Sequence, residues 1–345
     1  MMIFAIIAVG GAFGQRVGDT IQAAGSSWTV ESVSGDRMTL VKQAQGNGPV
    51  NWVAVPDSTF GSNGVINDVA FGNNTWVAVG NSTRMAYSSD GRSWTAIPAG
   101  TNAGQNGFSS THIQGVAFGN NMFIAVGEGR MASSPDGRTW TAVASPPQGV
   151  WNKIAYGGGR WVAGGNGGRT AYSTDGRTWT AVDASGALDN HNVRGIAFGN
   201  NRWVAVATNS GMAYSSNGAS WTTVASTNRG GLSSDIIAVV YANNRWVAGN
   251  QNGRIVYSTD GASWTAVADA NRGGFTASIN GIGFGNNRFV AVGAQGRMAY
   301  STDGATWTAV ANTTFANNQT INAVAYGSGR FVAVGTNGKM AYCDW

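Results

Sequence analysis

The sequence predicts an all-β protein, a seven-bladed β-propeller of four-stranded antiparallel blades. Three observations predict it. A turn sequence, Ser-x-Asp-Gly-x-x-Trp, recurs along the chain, and its tryptophans lie 39 to 46 residues apart. Self-similarity with a period of about 40 residues is typical of propellers and solenoids. Short apolar runs recur at matching places in every repeat, and 52 glycines against 6 prolines indicate many tight turns.

The recurring Ser-Asp-Gly turn has a folding role that its residue types explain. Asp-Gly between apolar runs favours a hairpin, because Gly adopts positive φ freely and Asp accepts hydrogen bonds from nearby backbone N–H groups. The Trp opens the next strand and supplies a large apolar contact. The residues predicted to fill the structural turn position are Asp90, Asp136, Asp175, Asn217, Asp260 and Asp303.

Each repeat offers four strand candidates in order. In the first repeat they are Val69-Ala70-Phe71, Trp76-Val77-Ala78-Val79, Arg84-Met85-Ala86-Tyr87 and the stretch after Trp94. The first three strands occur seven times, but only six fourth strands follow a Ser-Asp-Gly turn. Asn51-Trp52-Val53-Ala54-Val55 has the missing pattern. This N-terminal strand is therefore predicted to complete the last blade, closing a propeller over residues 49–345 without an open seam.

Two shorter segments precede the propeller. Residues 1–14 (MMIFAIIAVGGAFG) are apolar and end in small residues, which predicts a signal peptide and a secreted or cell-surface protein. If that segment is not cleaved, a cytoplasmic location is expected instead. The run is too short to span a membrane, so no transmembrane segment is predicted. Residues 15–48 are predicted to form a small β-hairpin element and a linker, with Ser34-Gly35-Asp36 as the turn.

Composition limits the classes of ligand. The lone Cys343 excludes an intramolecular disulfide framework and a Cys-based zinc site, and no cofactor or metal site is predicted. The net charge of +5 mildly favours acidic partners but is too small to imply nucleic acid, for which the chain carries no motif.

The Ser-x-Asp-Gly-x-x-Trp turns resemble the Asp-box (BNR) repeats of sialidase-like propellers, although every copy is one residue shorter between Asp and Gly than the usual box. The resemblance covers all seven units. It implies a propeller fold and several activities, because Asp-box propellers include sialidases, other glycoside hydrolases, carbohydrate-binding lectins and photosystem II assembly factors. Function must therefore be argued from the site.

A catalytic role has little support in the sequence, and no catalytic residue is assigned. Most glycosidases need two facing carboxylates. The chain has two glutamates: Glu31 lies outside the propeller, and Glu128 lies in a hairpin turn. Asp68, at the start of a first strand near the channel, is the best candidate acid, and a strand-end carboxylate in solvent is the simpler interpretation. His112 and His191 lack paired carboxylates and make a poor metal site.

Blade geometry separates two faces. The turns between strands two and three, and the connections between blades, emerge on one face, here called the loop face. The other face carries the remaining turns and is called the turn face. Two sets of side chains are predicted to converge on the loop face. The cation ring opens the third strands: Arg84, Arg130, Arg169, Arg254, Arg297 and Lys339. The channel-mouth set precedes the apolar runs of the first strands: Asn67, Gln114, Asn152, Arg194, Asn280 and Asn322.

Amide and guanidinium groups converging on a concave surface suit hydroxyl-rich or anionic ligands. We therefore expect a non-catalytic binding propeller whose ligand is carbohydrate, with a protein-binding scaffold as the alternative and a sialidase-like hydrolase as an outside alternative. Against both ligand hypotheses, the ring cations could simply be inherited with the repeat, and water could satisfy the amides. A second basic set on the turn face shows how common Arg is here: Arg160, Arg202, Arg245, Arg288 and Arg330. The oligomeric state is left open.

Overall fold

A computed structural model describes residues 20–23, 26–34, 37–42, 51–98, 108, 112–188 and 190–345. The predicted signal peptide, most of the predicted linker, and most of the connection at 99–111 lie outside the described residues. The chain divides into two units, Met1–Pro49 and Val50–Trp345.

The first unit contains a three-stranded antiparallel sheet. Its strands are Thr20–Ala23, Ser26–Ser34 and Arg37–Lys42, in that order. The sequence predicted only the hairpin made by the second and third strands. The additional strand, TIQA, is too short to show a period-two pattern, so its pairing with Ser26–Thr29 is visible only in the structure.

The second unit is a ring of seven four-stranded antiparallel sheets, which confirms the predicted fold. The first strands are Ile66–Gly72, Ile113–Gly119, Trp151–Gly157, Val193–Gly199, Ile236–Ala242, Ile279–Gly285 and Ile321–Gly327. The second strands are Thr75–Gly80, Met122–Gly127, Arg160–Gly165, Arg202–Ala207, Arg245–Asn250, Arg288–Gly293 and Arg330–Gly335. The third strands are Met85–Ser88, Met131–Ser134, Arg169–Ser173, Met212–Ser215, Ile255–Ser258, Met298–Ser301 and Met340–Asp344. The fourth strands of blades 1 to 6 are Thr95–Ile97, Thr141–Ala142, Thr180–Asp183, Thr222–Thr223, Thr265–Ala266 and Thr308–Ala309.

Blade 7 is completed by Val53–Ala54, as the sequence predicted. Val53 pairs with Tyr342 and Ala54 with Ala341, and the Val55 N–H donates to the Met340 carbonyl at 2.9 Å. Trp52 is buried between blades 6 and 7, among Val290, Phe331 and their neighbours. Two ends of the unit thus share one sheet, which leaves no open seam in the ring.

The core lies between neighbouring blades. Each first strand carries an aromatic ring next to the ring at the start of its own second strand, as with Phe71 and Trp76, whose centroids lie 4.8 Å apart. The same ring also covers the end of the preceding first strand. A Cβ on Gly72 would lie 1.9 Å from Cγ of Phe118 in the next blade. This close approach explains why six of the seven first strands end in Gly, and Ala242 is the exception.

Short helices occur in the turns and connections of the loop face. Four are single 3₁₀ turns: Asn166–Gly168, Ser226–Asn228, Asp269–Asn271 and Ala294–Gly296. The one α-helix in the described chain is the single turn Ser185–Leu188, which follows blade 3. None of these helices has the length and apolar character needed to cross a membrane.

Candidate functional site: the loop face

A β-bulge places the channel-mouth set. In every first strand the ladder to the second strand skips one residue, as between Ile66 and Asp68 in blade 1. The skipped residue is the one singled out in the sequence: Asn67, Gln114, Asn152, Arg194, Asn280 and Asn322, with Ile237 in blade 5. Because a bulge re-aims the extra side chain, this position turns away from the regular ladder.

Four of these residues, all asparagines, form hydrogen bonds to the following blade. Each asparagine donates its amide N–H to a backbone carbonyl just before the bulge of the following blade. The pairs are Asn67 with Ile113 (2.8 Å), Asn152 with Val193 (3.0 Å), Asn280 with Ile321 (3.0 Å) and Asn322 with Ile66 (2.8 Å). The sequence had assigned these amides to ligand binding. In the structure they join neighbouring first strands around the channel mouth.

The other bulge positions differ. Gln114 is half-buried and Arg194 is exposed, and neither side chain makes a hydrogen bond within the described residues. Ile237 cannot make one. Blades 2, 4 and 5 therefore lack the amide joint, and Arg194 is the member of the set that presents a cation to solvent.

The cation ring is exposed in all six blades that carry it. Arg84, Arg169 and Arg297 each donate one bond to a carbonyl of the connection that enters their blade, to Phe60, Gln148 (3.4 Å) and Gly274 (2.7 Å) respectively. Arg130, Arg254 and Lys339 make no side-chain hydrogen bond within the described residues. No ring cation forms an ion pair there, so the guanidinium and ammonium groups keep most of their donors.

Two ring arginines line cavities on the loop face. In blade 3, Arg169 lines an open cavity of about 840 Å³, together with Gln148, Asn166, Val182 and Asp183. In blade 6, Arg297 lines one of about 540 Å³ with Gln295, Asn312 and Asn317. The blade 3 cavity lies between the connection entering that blade, residues 147–151, and the outer two strands, whereas the blade 6 cavity lies between the outer two strands and the connection leaving that blade, residues 311–317.

The turn-face arginines have a structural role that the sequence analysis missed. Arg160, Arg202, Arg245 and Arg330 each stack on the tyrosine of the third strand of their own blade, with 4.3 to 4.9 Å between Cζ and the ring centroid. Each also donates to a backbone carbonyl in the Ser-Asp-Gly turn of the next blade: Asn217, Asp260, Asp303 and Asp90.

A signal for this joint was present in the sequence. Blade 2 has Met122 in place of the arginine and Ser133 in place of the tyrosine. Blade 1 has Thr75 with Tyr87, and there Arg138 from the next blade stacks on the tyrosine at 5.0 Å. Every tyrosine at this position except Tyr300 of blade 6 therefore has an arginine stacked on it, and in blade 6 Arg288 stacks on Trp345 at 4.4 Å instead.

The candidate acid Asp68 forms an ion pair. Its carboxylate accepts a bond from Lys153 Nζ at 3.1 Å and from the Val116 N–H at 3.3 Å, so it links blade 1 to blades 2 and 3. The corresponding residue of blade 3 is Lys153 itself, and in the other five first strands it is Gly or Ala. The seven first strands carry no second carboxylate beside it.

The Ser-Asp-Gly turns form closed hydrogen-bond networks on the turn face. In blade 3, Asp175 Oδ1 accepts from the Arg177 and Thr178 N–H groups at 2.8 and 2.7 Å and from Ser173 Oγ at 2.9 Å. The backbone bonds from Thr178 and Arg177 lower the pKa of Asp175 to about 2. At the other four aspartates partial burial acts to raise the pKa, but the same bonds outweigh it and the pKa is lowered. Asn217 accepts equivalent bonds.

The histidines do not form a site together. His112 is exposed and its Nδ1 accepts the Ser82 N–H at 3.3 Å, while His191 follows blade 3. Within the described residues, no three His, Cys, Asp or Glu side chains lie close enough to hold a metal ion. Burial raises the pKa of the Cys343 thiol to about 11, which disfavours the reactive thiolate form at neutral pH.

Comparison with known proteins supports the fold. No family model matches the chain, so the Asp-box relation stays a resemblance, and no curated protein matches it in sequence. Among solved structures, the chain is similar to "YCF48 bound to D1 peptide" (TM-score 0.67, 19% identity, 88% of this chain and 99% of that one). It is also similar to YCF48 from Cyanidioschyzon merolae (0.64, 17%, 85% and 98%) and to the WD40 propeller of Doa1 (0.62, 11%, 85% and 97%). At these identities the likeness shows a shared propeller fold.

Proposed function

We propose that this propeller is a non-catalytic scaffold that binds an acidic segment of a partner protein on its loop face. The cation ring carries the proposal. Six blades each present an exposed Arg or Lys at the same place on one face, and none of them forms an ion pair within the described residues. The turn-face arginines, in contrast, are used in joints between blades. Guanidinium groups recognise carboxylates through charge-assisted, often bidentate hydrogen bonds.

Two further observations favour a protein partner over catalysis. The channel carboxylate Asp68 is paired with Lys153, so it is poorly placed to act as an acid. A solved propeller of the same architecture is described as bound to a peptide. Fold alone does not transfer function, so this likeness supports the proposal only by analogy.

The test is a binding assay with arrayed acidic, neutral and basic peptides on the full chain. We expect acidic peptides to bind and salt to weaken them. Replacing the ring cations that make no bond or one long bond by Gln, in a fourfold variant of Arg130, Arg169, Arg254 and Lys339, should weaken binding about tenfold or more. The matched control is Arg177→Gln, an exposed arginine of the turn face whose side chain has no partner in the described structure. Binding that the fourfold variant leaves unchanged would refute the proposal.

Carbohydrate remains a second candidate because of one observation. The cavities of blades 3 and 6 are each lined by a ring arginine and by side-chain amides, which are groups that suit a hydroxyl-rich ligand. A glycan array tests it: binding of a defined sugar that Arg297→Ala weakens would favour the lectin function. Asn280→Ala is unsuitable for this purpose, since Asn280 bonds to the next blade.

A further inference from the structure

The outer edge of blade 3 differs from the edges of blades 5 and 6. In those two blades the connection from the preceding blade runs parallel to the start of the fourth strand and covers it. The Trp264 N–H donates to the Asn228 carbonyl at 2.8 Å, and the Trp307 N–H to that of Asn271 at 2.9 Å. Gly230, two residues after Asn228, then packs on blade 5 so closely that a Cβ on it would lie 2.8 Å from Cγ1 of Val256. These segments share the sequence Asn-Arg-Gly-Gly.

In blade 3 the corresponding segment is too short to do this. Eight residues separate the fourth strand of blade 2 from the first strand of blade 3, whereas twelve separate the equivalent strands before blades 5 and 6. Within the continuous stretch 112–188, nothing bonds to the Trp179 N–H. Trp179 is accordingly half-exposed, although Trp264 and Trp307 are only 6% and 4% exposed.

The uncovered edge is also the longest. Thr180–Asp183 has four residues, against two in blades 4, 5 and 6, and the cavity of about 840 Å³ runs along it. The cavity of about 540 Å³ at blade 6, whose edge is covered, lies instead against the connection that leaves that blade. The edge of blade 4 is occupied as well, since Thr223 Oγ1 donates to the Ala187 carbonyl of the helix Ser185–Leu188. An uncovered strand edge is a template for pairing with another strand.

The charged residues that line the blade 3 cavity indicate which kind of segment would bind there. Arg169 is exposed there and makes one long bond, 3.4 Å to the Gln148 carbonyl. Asp183, the other charged residue lining the cavity, is the strand partner of Arg169, and its Oδ1 accepts the Ser185 N–H at 3.0 Å. The Arg169 guanidinium keeps most of its five N–H donors, and these complement a carboxylate.

We infer that an extended acidic segment of a partner protein binds as a fifth strand along Thr180–Asp183 and places a carboxylate on Arg169. The segments that cover blades 5 and 6 show the mode of binding, because they are the chain's own occupants of that edge. The inference rests on the proposed function and assigns it to one blade. Main-chain hydrogen bonds would supply affinity, and Arg169 specificity.

The experiment selects binders from a displayed library of random 12-residue peptides against the full chain, and measures affinities by fluorescence anisotropy. We expect acidic peptides that lose about tenfold or more in affinity with Arg169→Gln and less than about twofold with Arg254→Gln, the same position in blade 5. N-methylation of alternate peptide bonds should abolish binding, because it removes strand donors. Replacing residues 144–150 by residues 225–235, which would cover the edge, should do the same.

The outcomes separate the two proposals. Acidic peptides that bind equally well to Arg169→Gln and to Arg254→Gln would overturn the assignment to blade 3 and leave the acidic-partner function standing. A library that yields no binder, together with a sugar bound on a glycan array, would overturn both.

Discussion

One serine hydroxyl and one carboxylate hold each Ser-Asp-Gly turn. In blade 1, Ser88 Oγ donates to Asp90 Oδ1 at 2.9 Å and accepts the Gly91 N–H at 2.8 Å. Gly91 has φ +69°, which a residue with a Cβ adopts only at a cost. The carboxylate therefore accepts hydrogen bonds from the backbone of its own turn, and these bonds lower its pKa.

The low pKa gives the stability of the protein a pH dependence. The folded pKa of Asp175, about 2, lies below its ordinary value of 3.8, so its contribution is complete above about pH 4 and is lost as pH falls towards 2. We predict that Asp175→Asn lowers the free energy of unfolding at pH 5 by less than about 1 kcal/mol, since solvent screens this exposed group, and that the difference disappears near pH 2.

Urea unfolding of both proteins across this pH range measures the effect. The reciprocal variant Asn217→Asp is the control, because it should introduce the same pH dependence into blade 4. A difference between the wild type and Asp175→Asn that stays constant from pH 5 to pH 2 would contradict the explanation.

At the scale of the strand, neighbouring blades are joined at both ends. Asparagines in the bulges connect first strands near the loop face, and arginines stacked on tyrosines connect blades at the turn face. The joint made by Arg245 combines a cation–π contact with Tyr257 at 4.8 Å and a bond to the Asp303 carbonyl at 2.5 Å.

Removing one such joint should be measurable. We predict that Arg245→Met lowers the free energy of unfolding by about 1–2 kcal/mol, because both contacts are lost and a carbonyl loses its donor. Arg177→Met, on the same face, should change it by less than about 0.5 kcal/mol. Arg245→Lys should not restore stability fully, since an ammonium cannot stack as a planar guanidinium does. Equal losses for the Arg245 and Arg177 variants in urea unfolding would show that the joint contributes nothing.

The strands could be predicted from the sequence, but the contacts that their side chains make with neighbouring blades could not. The period of the turns and the unpaired pattern at Asn51–Val55 were sufficient for the blades and the closure, because those depend on local chemistry and counting. The asparagine joints depend on a bulge, and a bulge is defined by the register of two strands rather than by one. The cover over blade 5 was missed for a related reason: the sequence placed residues 225–235 only in a connection between blades, and packing against Val256 is what positions Asn228-Arg229-Gly230.

At the scale of the whole molecule, the ring depends on a contact between residues far apart in sequence. Trp52 is 4% exposed and packs between blades 6 and 7, while its neighbour Val53 is 46% exposed. We predict that Trp52→Ala lowers the free energy of unfolding by about 3–5 kcal/mol, as expected for a fully buried Trp, and that Val53→Thr has little effect. Thermal unfolding distinguishes them. Similar melting temperatures for the two variants would mean that the closure of blade 7 adds little to stability.

The closing strand also has a consequence for synthesis on the ribosome. Val53–Ala54 emerges early, but its partner Met340–Asp344 is made nearly 290 residues later. At roughly 5–20 residues per second, this strand waits some 15–60 s before its sheet exists. Until Met340–Asp344 is made, Val53–Ala54 has no partner strand and the ring of blades cannot close. During that interval the unpaired strand edges of the nascent chain are available for mispairing with other chains.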